Sequence, residues 1–269
     1  MVILTIVGAR PQFVKAAVVS KVIRRFSREI IVHTGQHYDY NMSELFFREL
    51  AIPEPDYNLG IGSGPHGQQT GRMLEMIEEI LLKELPDLVL VYGDTNSTLA
   101  GALAASKLHI PIGHIEAGLR SFNRYMPEEI NRIVTDHLSK WLFTPTKNAA
   151  DNLRSEGIMN GVYLVGDVMY DAFQFSTEIV LRNSRILERL QLSTTTYGLL
   201  TLHRAENTDD SFRLRAIMDT LNQSPYKIIL PLHPRTRNKI QEYGIQLDSR
   251  VIHVIEPVGY FDMLQLELN

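Results

Sequence analysis

The sequence predicts an α/β protein with two Rossmann-like, doubly wound domains. Short β-branched runs alternate along the chain with longer amphipathic runs of helical period. Strands that are apolar on both faces are typical of parallel sheets covered by helices on each side, and this alternation defines the α/β class. The strand-like runs are too numerous for one small open sheet. We therefore predict two domains that face each other across a cleft.

The predicted strands share short runs of mostly β-branched apolar residues, and they cover residues 2–7, 30–33, 88–92, 110–115, 141–143, 162–165, 199–202, 228–232 and 251–255. The predicted helices share apolar residues spaced three and four apart, and they cover residues 12–26, 69–85, 97–108, 128–138, 148–156, 169–190, 210–221 and 236–243. Residues 259–269 resemble the start of another helix. The long helical run 169–190 and the polar Ser193-Thr194-Thr195-Thr196 after it place the domain boundary, giving domains 1–169 and 170–269.

Composition excludes several classes of protein. The chain has 269 residues, of which 44% are hydrophobic and 22% charged, as in ordinary globular proteins. A net charge of −4 gives no reason to expect nucleic acid or an anionic membrane as a partner. With no cysteine, disulfides, thiolate catalysis, zinc ribbons and iron–sulfur clusters are excluded. No apolar stretch reaches membrane-spanning length and no signal peptide pattern is present, so we expect a cytoplasmic protein.

Chemically reactive residues recur where the predicted strands end. The segments that follow strands are Gly8-Ala9-Arg10-Pro11, Gly93-Asp94-Thr95-Asn96, Glu116-Ala117-Gly118-Leu119-Arg120, His203-Arg204-Ala205-Glu206-Asn207 and His233-Pro234-Arg235. In open α/β sheets, ligands bind beyond the carboxyl ends of the strands. Repetition of this pattern predicts an active cleft.

Arg10 and Lys15 lie at the start of the first predicted helix, where free backbone amides already favour an anion. They are candidates for binding a diphosphate, and the alternative is a solvated basic helix face. Asp94 and Glu116 each follow an apolar strand and are candidates for proton transfer. For Asp94 the alternative is an N-cap of the helix that follows.

Glu128 and Arg132 lie four residues apart on one predicted helix face, and together could hold a sugar or a phosphate. The alternative is that Glu128 only complements the helix dipole in the first turn. His203 ends an apolar strand beside charged residues, which suits an acid, a base or a phosphate ligand. His233 has a similar position with fewer charged neighbours.

One apparent motif is rejected. Gly62-Ser63-Gly64-Pro65-His66-Gly67 matches the dinucleotide pattern G-x-G-x-x-G, but no hydrophobic strand precedes it and Pro65 lies inside it. His33 and His37 do not share a predicted helix, and no carboxylate cluster accompanies them. We therefore expect no metal and no nicotinamide or flavin cofactor.

Five ordered motifs carry a family resemblance. They are Gly8-Ala9-Arg10-Pro11, Gly93-Asp94-Thr95-Asn96-Ser97-Thr98, His114-Ile115-Glu116-Ala117-Gly118-Leu119-Arg120, Pro127-Glu128-Glu129-Ile130-Asn131-Arg132 and His203-Arg204-Ala205-Glu206-Asn207. Over its whole length the chain resembles the non-hydrolysing UDP-N-acetylglucosamine 2-epimerase family. The resemblance implies the two-domain architecture of B-type glycosyltransferases. It also implies interconversion of the gluco and manno forms of a UDP-2-acetamido sugar, through loss of the C2 proton, anti elimination of UDP and re-addition.

The same resemblance implies roles for individual residues. The implied catalytic groups are the carboxylates Asp94, Glu116 and Glu128, with His203 assisting at the diphosphate or the departing oxygen. The implied substrate-binding residues are Arg10, Lys15, Arg132, Arg204 and His233, with Arg132 also positioning Glu128. Which carboxylate is the base and which is the acid stays open. No cofactor is implied, and the family is usually dimeric, so we expect a homodimer of the full-length protein.

The chain departs from the family pattern in two places. Relatives with a second, activating substrate site carry a Gln-His-x-Gln segment and an Arg before Gln-Thr. This chain keeps Gln36 but has Asp39 and Gln68 at the other two positions, so we do not expect activation by substrate. The resemblance also implies a C-terminally truncated second domain, since family members continue through a Ser-Gly-Gly turn, an acidic residue and a closing helix.

Other functions stay open. The motifs also resemble epimerases that act on UDP-2,3-diacetamido-2,3-dideoxyglucuronate in O-antigen synthesis, and C2 chemistry does not distinguish the two substrates. A glycosyltransferase would share the predicted fold but would need an acceptor. An inactive remnant that only binds a nucleotide sugar is the alternative from another class.

Overall fold

The computed structural model describes residues 1–36, 54–192 and 196–269. They divide into two compact units, Met1–Phe175 and Ser176–Asn269. Each unit contains its own parallel sheet with accompanying helices, which confirms the predicted α/β class. His37, Asp39 and most of the polar stretch before Thr196 lie outside the described residues.

Strands and helices alternate along the first unit as predicted. The strands are β1 (Val2–Val7), β2 (Arg28–His33), β3 (Tyr57–Asn58), β4 (Leu88–Tyr92), β5 (Ile112–Ile115), β6 (Trp141–Thr144) and β7 (Val162–Leu164). The helices are α1 (Arg10–Ile23), α2 (His66–Glu84), α3 (Asn96–Lys107), α4 (Pro127–Leu138) and α5 (Lys147–Ser155). A further helix, α6 (Val168–Asn183), begins in this unit and ends in the second.

The sheet of the first unit has the strand order β3-β2-β1-β4-β5-β6-β7, with neighbouring strands parallel. The direction of winding reverses between β1 and β4, because β1 pairs with β2 on one side and with β4 on the other. In doubly wound sheets the loops that follow two such strands diverge and leave a crevice between them. The loops after β1 and β4 are therefore where the fold favours a ligand.

Apolar strands and small helical residues together form the main core. Leu4 and Ile6 of β1 are fully buried and pack in one cluster with residues of α2, α3 and β4. A Cβ at Gly101 in α3 would contact the side chains of Ile6 and Val91. The absence of that atom lets α3 lie close to the sheet, which positions the amino end of α3 beside the ends of β1 and β4.

The second unit also follows a strand–helix alternation. Its elements are α7 (Ile186–Arg189), β8 (Tyr197–Leu199), α8 (Ala205–Thr208), α9 (Ser211–Asn222), β9 (Lys227–Pro231), α10 (Pro234–Glu242), β10 (Ile252–Ile255) and α11 (Tyr260–Glu267). The parallel sheet has the order β10-β9-β8. Leu214 and Met218 of α9 are fully buried against Leu230 of β9. This packing explains the apolar spacing that predicts a helix and a strand here.

Two elements of the second unit differ from the prediction. The run 169–190 forms two helices, since the Ser184 side chain accepts a hydrogen bond from the amide of Ile186 at 3.3 Å and starts a new helix there. The strand predicted at 199–202 is shifted toward the N-terminus. Leu202, the last residue of the predicted run, lies beyond the observed strand. Its carbonyl accepts a hydrogen bond from the Thr236 hydroxyl at 2.5 Å rather than from a neighbouring strand.

The glycine-rich segment 62–67 follows a strand, but this strand is not a hydrophobic one, in line with the sequence. Tyr57 and Asn58 form β3, a two-residue strand at the edge of the sheet that pairs with β2, and α2 begins at His66. Two residues held by backbone pairing leave no hydrophobic run to detect in the sequence. A strand, a glycine-rich turn and a helix therefore do occur in this order, although the strand is at the sheet edge rather than at the switch point.

Within residues 1–36, 54–192 and 196–269, no helix combines the length and the apolar character needed to cross a bilayer.

Candidate active site

A cavity of about 200 Å³ opens at the switch point of the first unit. The loops after β1 and β4 and the amino end of α4 line it, and Lys15, Asp94 and Glu128 are among its lining residues. Gln12 and Gln36 line it as well. Three residues proposed from sequence therefore surround one cavity at the carboxyl ends of the parallel strands.

Gln12 joins the two loops of the switch point. Its side chain is only 1% exposed, and its carbonyl oxygen accepts hydrogen bonds from the amides of Gly8 at 2.8 Å and Ala9 at 3.0 Å. Its amide nitrogen donates to the carbonyl of Tyr92 at 2.7 Å and to the hydroxyl of Thr98 at 2.9 Å. One buried side chain thus fixes the loop after β1 against the end of β4.

Asp94 is available for chemistry because it does not cap α3. The N-cap is Thr95, whose hydroxyl accepts from the backbone amide of Thr98. The carboxylate of Asp94 instead binds the guanidinium of Arg132 at 2.5 Å, and its backbone carbonyl accepts from the side-chain amide of Asn131 at 2.8 Å. Both contacts with α4 hold Asp94 at the cavity.

Glu116 follows β5 in a left-handed backbone conformation, with φ of 73°. Its carboxylate forms an ion pair with the ammonium of Lys15. Burial lowers the pKa of Lys15, while the negative charges of Asp94 and Asp167 oppose this shift. A second candidate acid is thereby held beside the first helix, next to a buried cation.

Glu128 lines the cavity at the amino end of α4 and is partly exposed. Arg132 binds Asp94 and Glu129, the latter at 3.0 Å, so its ion pairs run to carboxylates other than that of Glu128. Burial alone would raise the pKa of Glu129, but hydrogen bonds from Ser121 and its neighbours lower it overall. Glu129 is therefore an ionised anchor that orients Arg132 toward Asp94.

A buried polar network lies beneath these loops. The ring of His114 in β5 contacts Asp136 of α4, and Asp136 also binds Arg120 at 2.7 Å. Arg120 in turn binds Glu156 through two nitrogens, at 2.7 and 2.8 Å. Burial alone would raise the pKa of Asp136, but His114 and Arg120 lower it overall. The network is therefore charged although it is enclosed by the fold.

Three predicted residues lie in the second unit. The rings of His203 and His233 are 6.1 Å apart between centroids. His233 is the N-cap of α10, where its Nδ1 accepts from the amide of Arg235 at 3.2 Å. Arg204 is exposed at the start of α8, with Glu206 at 3.7 Å. The second unit therefore presents two imidazoles and a guanidinium close together after β8 and β9.

The structure brings Lys15, Asp94, Glu116, Glu128 and Arg132 together in one unit. Arg10 is the first residue of α1, and the structure does not describe its side chain. Sequence reasoning missed the linking and anchoring side chains, namely Gln12, Asn131, Glu129, His114 and Asp136. For Asn131, Glu129 and His114 the available signal was polarity inside a quoted motif, since a polar side chain needs a partner once it is buried. Gln12 and Asp136 lie outside the quoted motifs.

The carboxylates of Asp94 and Glu116 each pair with a cation, Arg132 and Lys15 respectively. Over the described ranges, with 37–53 and 193–195 left aside, no three His, Cys, Asp or Glu side chains converge as metal ligands. Paired carboxylates and cations at one cavity suit proton transfer next to an anionic leaving group.

Comparisons with known proteins give one consistent result. A family model described as UDP-N-acetylglucosamine 2-epimerase matches residues 22–269. A UDP-N-acetylglucosamine 2-epimerase homolog of Methanococcus maripaludis is 58% identical over 100% of this chain and 76% of its own length. The UDP-2,3-diacetamido-2,3-dideoxy-D-glucuronate 2-epimerase of Pseudomonas aeruginosa is 56% identical over 99% of this chain and 75% of its own.

A solved structure extends the likeness to three dimensions. The crystal structure of the Methanocaldococcus jannaschii UDP-GlcNAc 2-epimerase, in complex with UDP-GlcNAc and UDP, is 45% identical and gives a TM-score of 0.89. The match covers 100% of this chain and 77% of that one. The chain thus spans about three quarters of the length of these relatives.

Proposed function

Because this chain belongs to the UDP-N-acetylglucosamine 2-epimerase family, we propose that it is a UDP-sugar 2-epimerase that interconverts UDP-GlcNAc and UDP-ManNAc. The family model covers most of the chain. Relatives that carry this name or a homolog's name are up to 58% identical to it. The observation that carries the proposal is the convergence of Lys15, Asp94 and Glu128 on one cavity at the switch point, with Glu116 bound to Lys15.

Inversion at C2 requires proton transfer on two faces of the sugar. In the proposed reaction a carboxylate takes the C2 proton, the C–H electron pair forms the C1–C2 double bond, and the C1–O bond breaks so that UDP leaves with its electrons. UDP then adds back to C1 while a second acid delivers a proton to the opposite face of C2. Asp94, Glu116 and Glu128 are the proposed proton-transfer groups, since Asp94 and Glu128 line the cavity and Glu116 is bound to Lys15, which lines it as well.

The departing diphosphate needs positive charge. Lys15 and Arg132 are proposed to supply it, and in the structure each is bound to one of the proposed acids, Glu116 and Asp94 respectively. A cation that turns toward a phosphate leaves its carboxylate with less positive charge nearby, which makes that carboxylate a stronger base. Substrate binding would therefore strengthen the base as it positions the leaving group.

The second unit is proposed to contribute at the diphosphate. His203 would assist at the diphosphate or the departing oxygen, and Arg204 and His233 would bind substrate. Arg10, at the start of α1, would add a cation where the helix dipole already favours an anion. These roles follow from the family motifs and from the grouping of His203, Arg204 and His233 after β8 and β9.

We further propose that the protein acts in the cytoplasm as a homodimer. The cysteine-free, mildly acidic composition suits a reducing compartment, and the family resemblance suggests two subunits. Light scattering on the purified chain gives the mass of the particle and tests the second statement.

A second substrate is favoured by one specific observation. The Pseudomonas aeruginosa relative named UDP-2,3-diacetamido-2,3-dideoxy-D-glucuronate 2-epimerase is 56% identical to this chain, as close as relatives named for UDP-GlcNAc. Both substrates react at C2, so the same cavity acids would serve either. The groups that contact C3 and C6 of the sugar would decide between them.

Solvent-deuterium incorporation tests both candidates in one experiment. The chain is incubated in D₂O with each UDP sugar, and NMR follows label at C2 and the appearance of the 2-epimer. Label and epimer from one sugar identify the substrate. A chain that binds UDP without labelling either sugar would instead be a binding protein, and UDP release that depends on an added acceptor would indicate a glycosyltransferase.

A matched variant keeps the assay specific. Glu79 is an exposed acid on α2, away from the cavity residues, so Glu79→Gln removes one negative charge without touching the proposed site. Its exchange rate is expected to equal that of the wild type. Equal losses in Glu79→Gln and in the cavity variants would refute the proposed roles of the cavity acids.

A further inference from the structure

His114 is a fully buried ring with a hydrogen-bond partner on each nitrogen. Its side chain and that of Asp136 are both 0% exposed. Nδ1 lies 2.7 Å from Oδ1 of Asp136, and Nε2 lies 2.7 Å from the backbone carbonyl of Gly93. Both distances are those of strong hydrogen bonds.

The partners of His114 are both acceptors. A backbone carbonyl can only accept. Asp136 accepts as a carboxylate too, since its other oxygen receives the amide of Gly118 at 3.1 Å and the guanidinium of Arg120 at 2.7 Å. A ring whose two nitrogens face two acceptors satisfies both only as the imidazolium, in which both nitrogens donate. His114 is then one half of a buried ion pair.

This ion pair is attached to both loops that carry the proposed acids. Gly93, bound through its carbonyl, directly precedes Asp94, and Gly118 lies two residues after Glu116. The backbone is left-handed at Gly93, Glu116 and Gly118, with φ of 61°, 73° and 79°. A non-glycine residue in that region costs about 1–2 kcal/mol and persists only where the surroundings hold it. The His114–Asp136 pair is a holding element placed between the two loops.

We propose that His114, as a buried imidazolium paired with Asp136, is a positioning residue that fixes the loops of Asp94 and Glu116 relative to each other for C2 proton transfer. The inference rests on the proposed function. His114 is enclosed and binds the Asp136 side chain and the Gly93 carbonyl, so it acts through these two loops. Displacing a reacting group by about 1 Å can cost about 10²-fold in rate, which sets the size of the expected effect.

A purely structural ion pair would give a different result. Breaking such a pair lowers the free energy of unfolding, but folded molecules keep the wild-type kcat. Loss of positioning lowers kcat of the folded protein while KM changes little, because substrate contacts are made by other residues. The kcat of the folded variant therefore separates the two roles.

The kinetic test uses two variants and one control. His114→Gln removes the cation, and Asp136→Asn keeps the shape of its partner but removes the charge. Each is expected to lower kcat for C2 epimerisation and C2 deuterium exchange by about 10²-fold with KM within about threefold. The control is Glu156→Gln. Glu156 is the outer partner of Arg120 and binds neither loop, so this variant should lower stability without lowering kcat. Wild-type kcat in both folded loop variants would overturn the inference.

A spectroscopic test does not depend on the reaction. In protein labelled with ¹⁵N-histidine, the His114 ring should show two directly bonded N–H pairs, and Asp136→Asn should lose one of them. The signals are assigned by their disappearance in His114→Gln, or by their change in Asp136→Asn if the first variant does not fold. A single N–H pair in the wild type would overturn the inference. Wild-type protein that exchanges the C2 proton of neither sugar would refute the proposed function. The ring spectrum would still decide whether His114 is the buried imidazolium inferred here.

Discussion

Replacing Gln12 by Glu tests how strongly the switch point depends on one buried amide. Gln12 bridges the loop after β1 and the end of β4 and is only 1% exposed. Glu would keep the oxygen that accepts from Gly8 and Ala9. Its second oxygen would face the carbonyl of Tyr92, 2.7 Å from the present amide nitrogen. Two acceptors would then oppose each other unless the new carboxyl group is protonated.

The magnitude follows from the cost of that conflict. A buried acceptor without a donor costs about 1–3 kcal/mol, and more when it is charged, so we expect Gln12→Glu to lose about 3 kcal/mol of unfolding free energy at pH 7. Protonation restores a donor toward Tyr92, so the folded state should hold this proton more tightly than the unfolded state. That raises the pKa of the new carboxyl group by about 2 units, at about 1.4 kcal/mol per unit.

The sign of the pH dependence is therefore fixed. Between the unfolded pKa of Glu, about 4.3, and the raised folded value, the folded state binds more protons than the unfolded state. The stability of Gln12→Glu relative to wild type must then fall as the pH rises. The deficit is expected to grow by about 2 kcal/mol between pH 5 and pH 7.

Urea unfolding at several pH values measures this deficit. The single tryptophan of the chain is Trp141, in β6, so its fluorescence follows the first unit. Gln68→Glu makes the same chemical change at an exposed position of α2 and should give no pH-dependent deficit. A Gln12→Glu deficit that is constant from pH 5 to pH 8, or equal to that of Gln68→Glu, would refute the reasoning.

Three further predictions concern the same unit. Asp94→Asn and Glu116→Gln should each lower the C2 exchange rate at least about 10²-fold, as for loss of a positioned acid or base, and normal exchange in both would contradict their roles. Gly118→Ala should lose about 3 kcal/mol in urea unfolding, since it combines a left-handed backbone with a Cβ that would overlap a carbonyl of α5. Gly157→Ala has the same backbone strain with open space around the Cβ, and should lose clearly less. The pKa of Asp136 is lowered from 3.8 on folding, so the stabilisation its charge provides is present above that value and lost as the pH falls through the folded pKa. The stability gap between wild type and Asp136→Asn should therefore shrink below about pH 4, and a gap that stays constant from pH 6 to pH 3 would contradict this.

The fold was predictable wherever burial leaves a pattern. β1 and β4 lie inside the sheet and are apolar on both faces, so their sequences predict parallel strands. The strand β3 left no such pattern, because two residues at a sheet edge need only backbone pairing. The break between α6 and α7 was missed for a similar reason, since it depends on the hydroxyl of Ser184, not on hydrophobic spacing.

The candidate site was predictable in its acids and cations but not in their partners. Asp94 and Glu116 were found because chain topology brings the ends of neighbouring parallel strands to one edge. The pairing of Arg132 with Asp94 was not predicted, because it depends on how α4 packs beside the loop after β4. Gln12 and His114 have bonds to residues that are distant in sequence, and no local spacing encodes such contacts.

The left-handed backbone at Glu116 has an evolutionary consequence. Glycine would adopt that conformation without the strain of about 1 kcal/mol that a side chain brings there. Selection for thermostability alone, on a library that varies positions 15 and 116 together, would then be expected to enrich Gly or Asn at 116 where the buried Lys15 ammonium is also replaced, whereas selection that includes turnover would retain Lys15 and Glu116. The two selections, run in parallel on one library, would give different residues at these positions. The difference in stability between the selected proteins would measure the free energy of folding that the Glu116 carboxylate and its Lys15 partner cost.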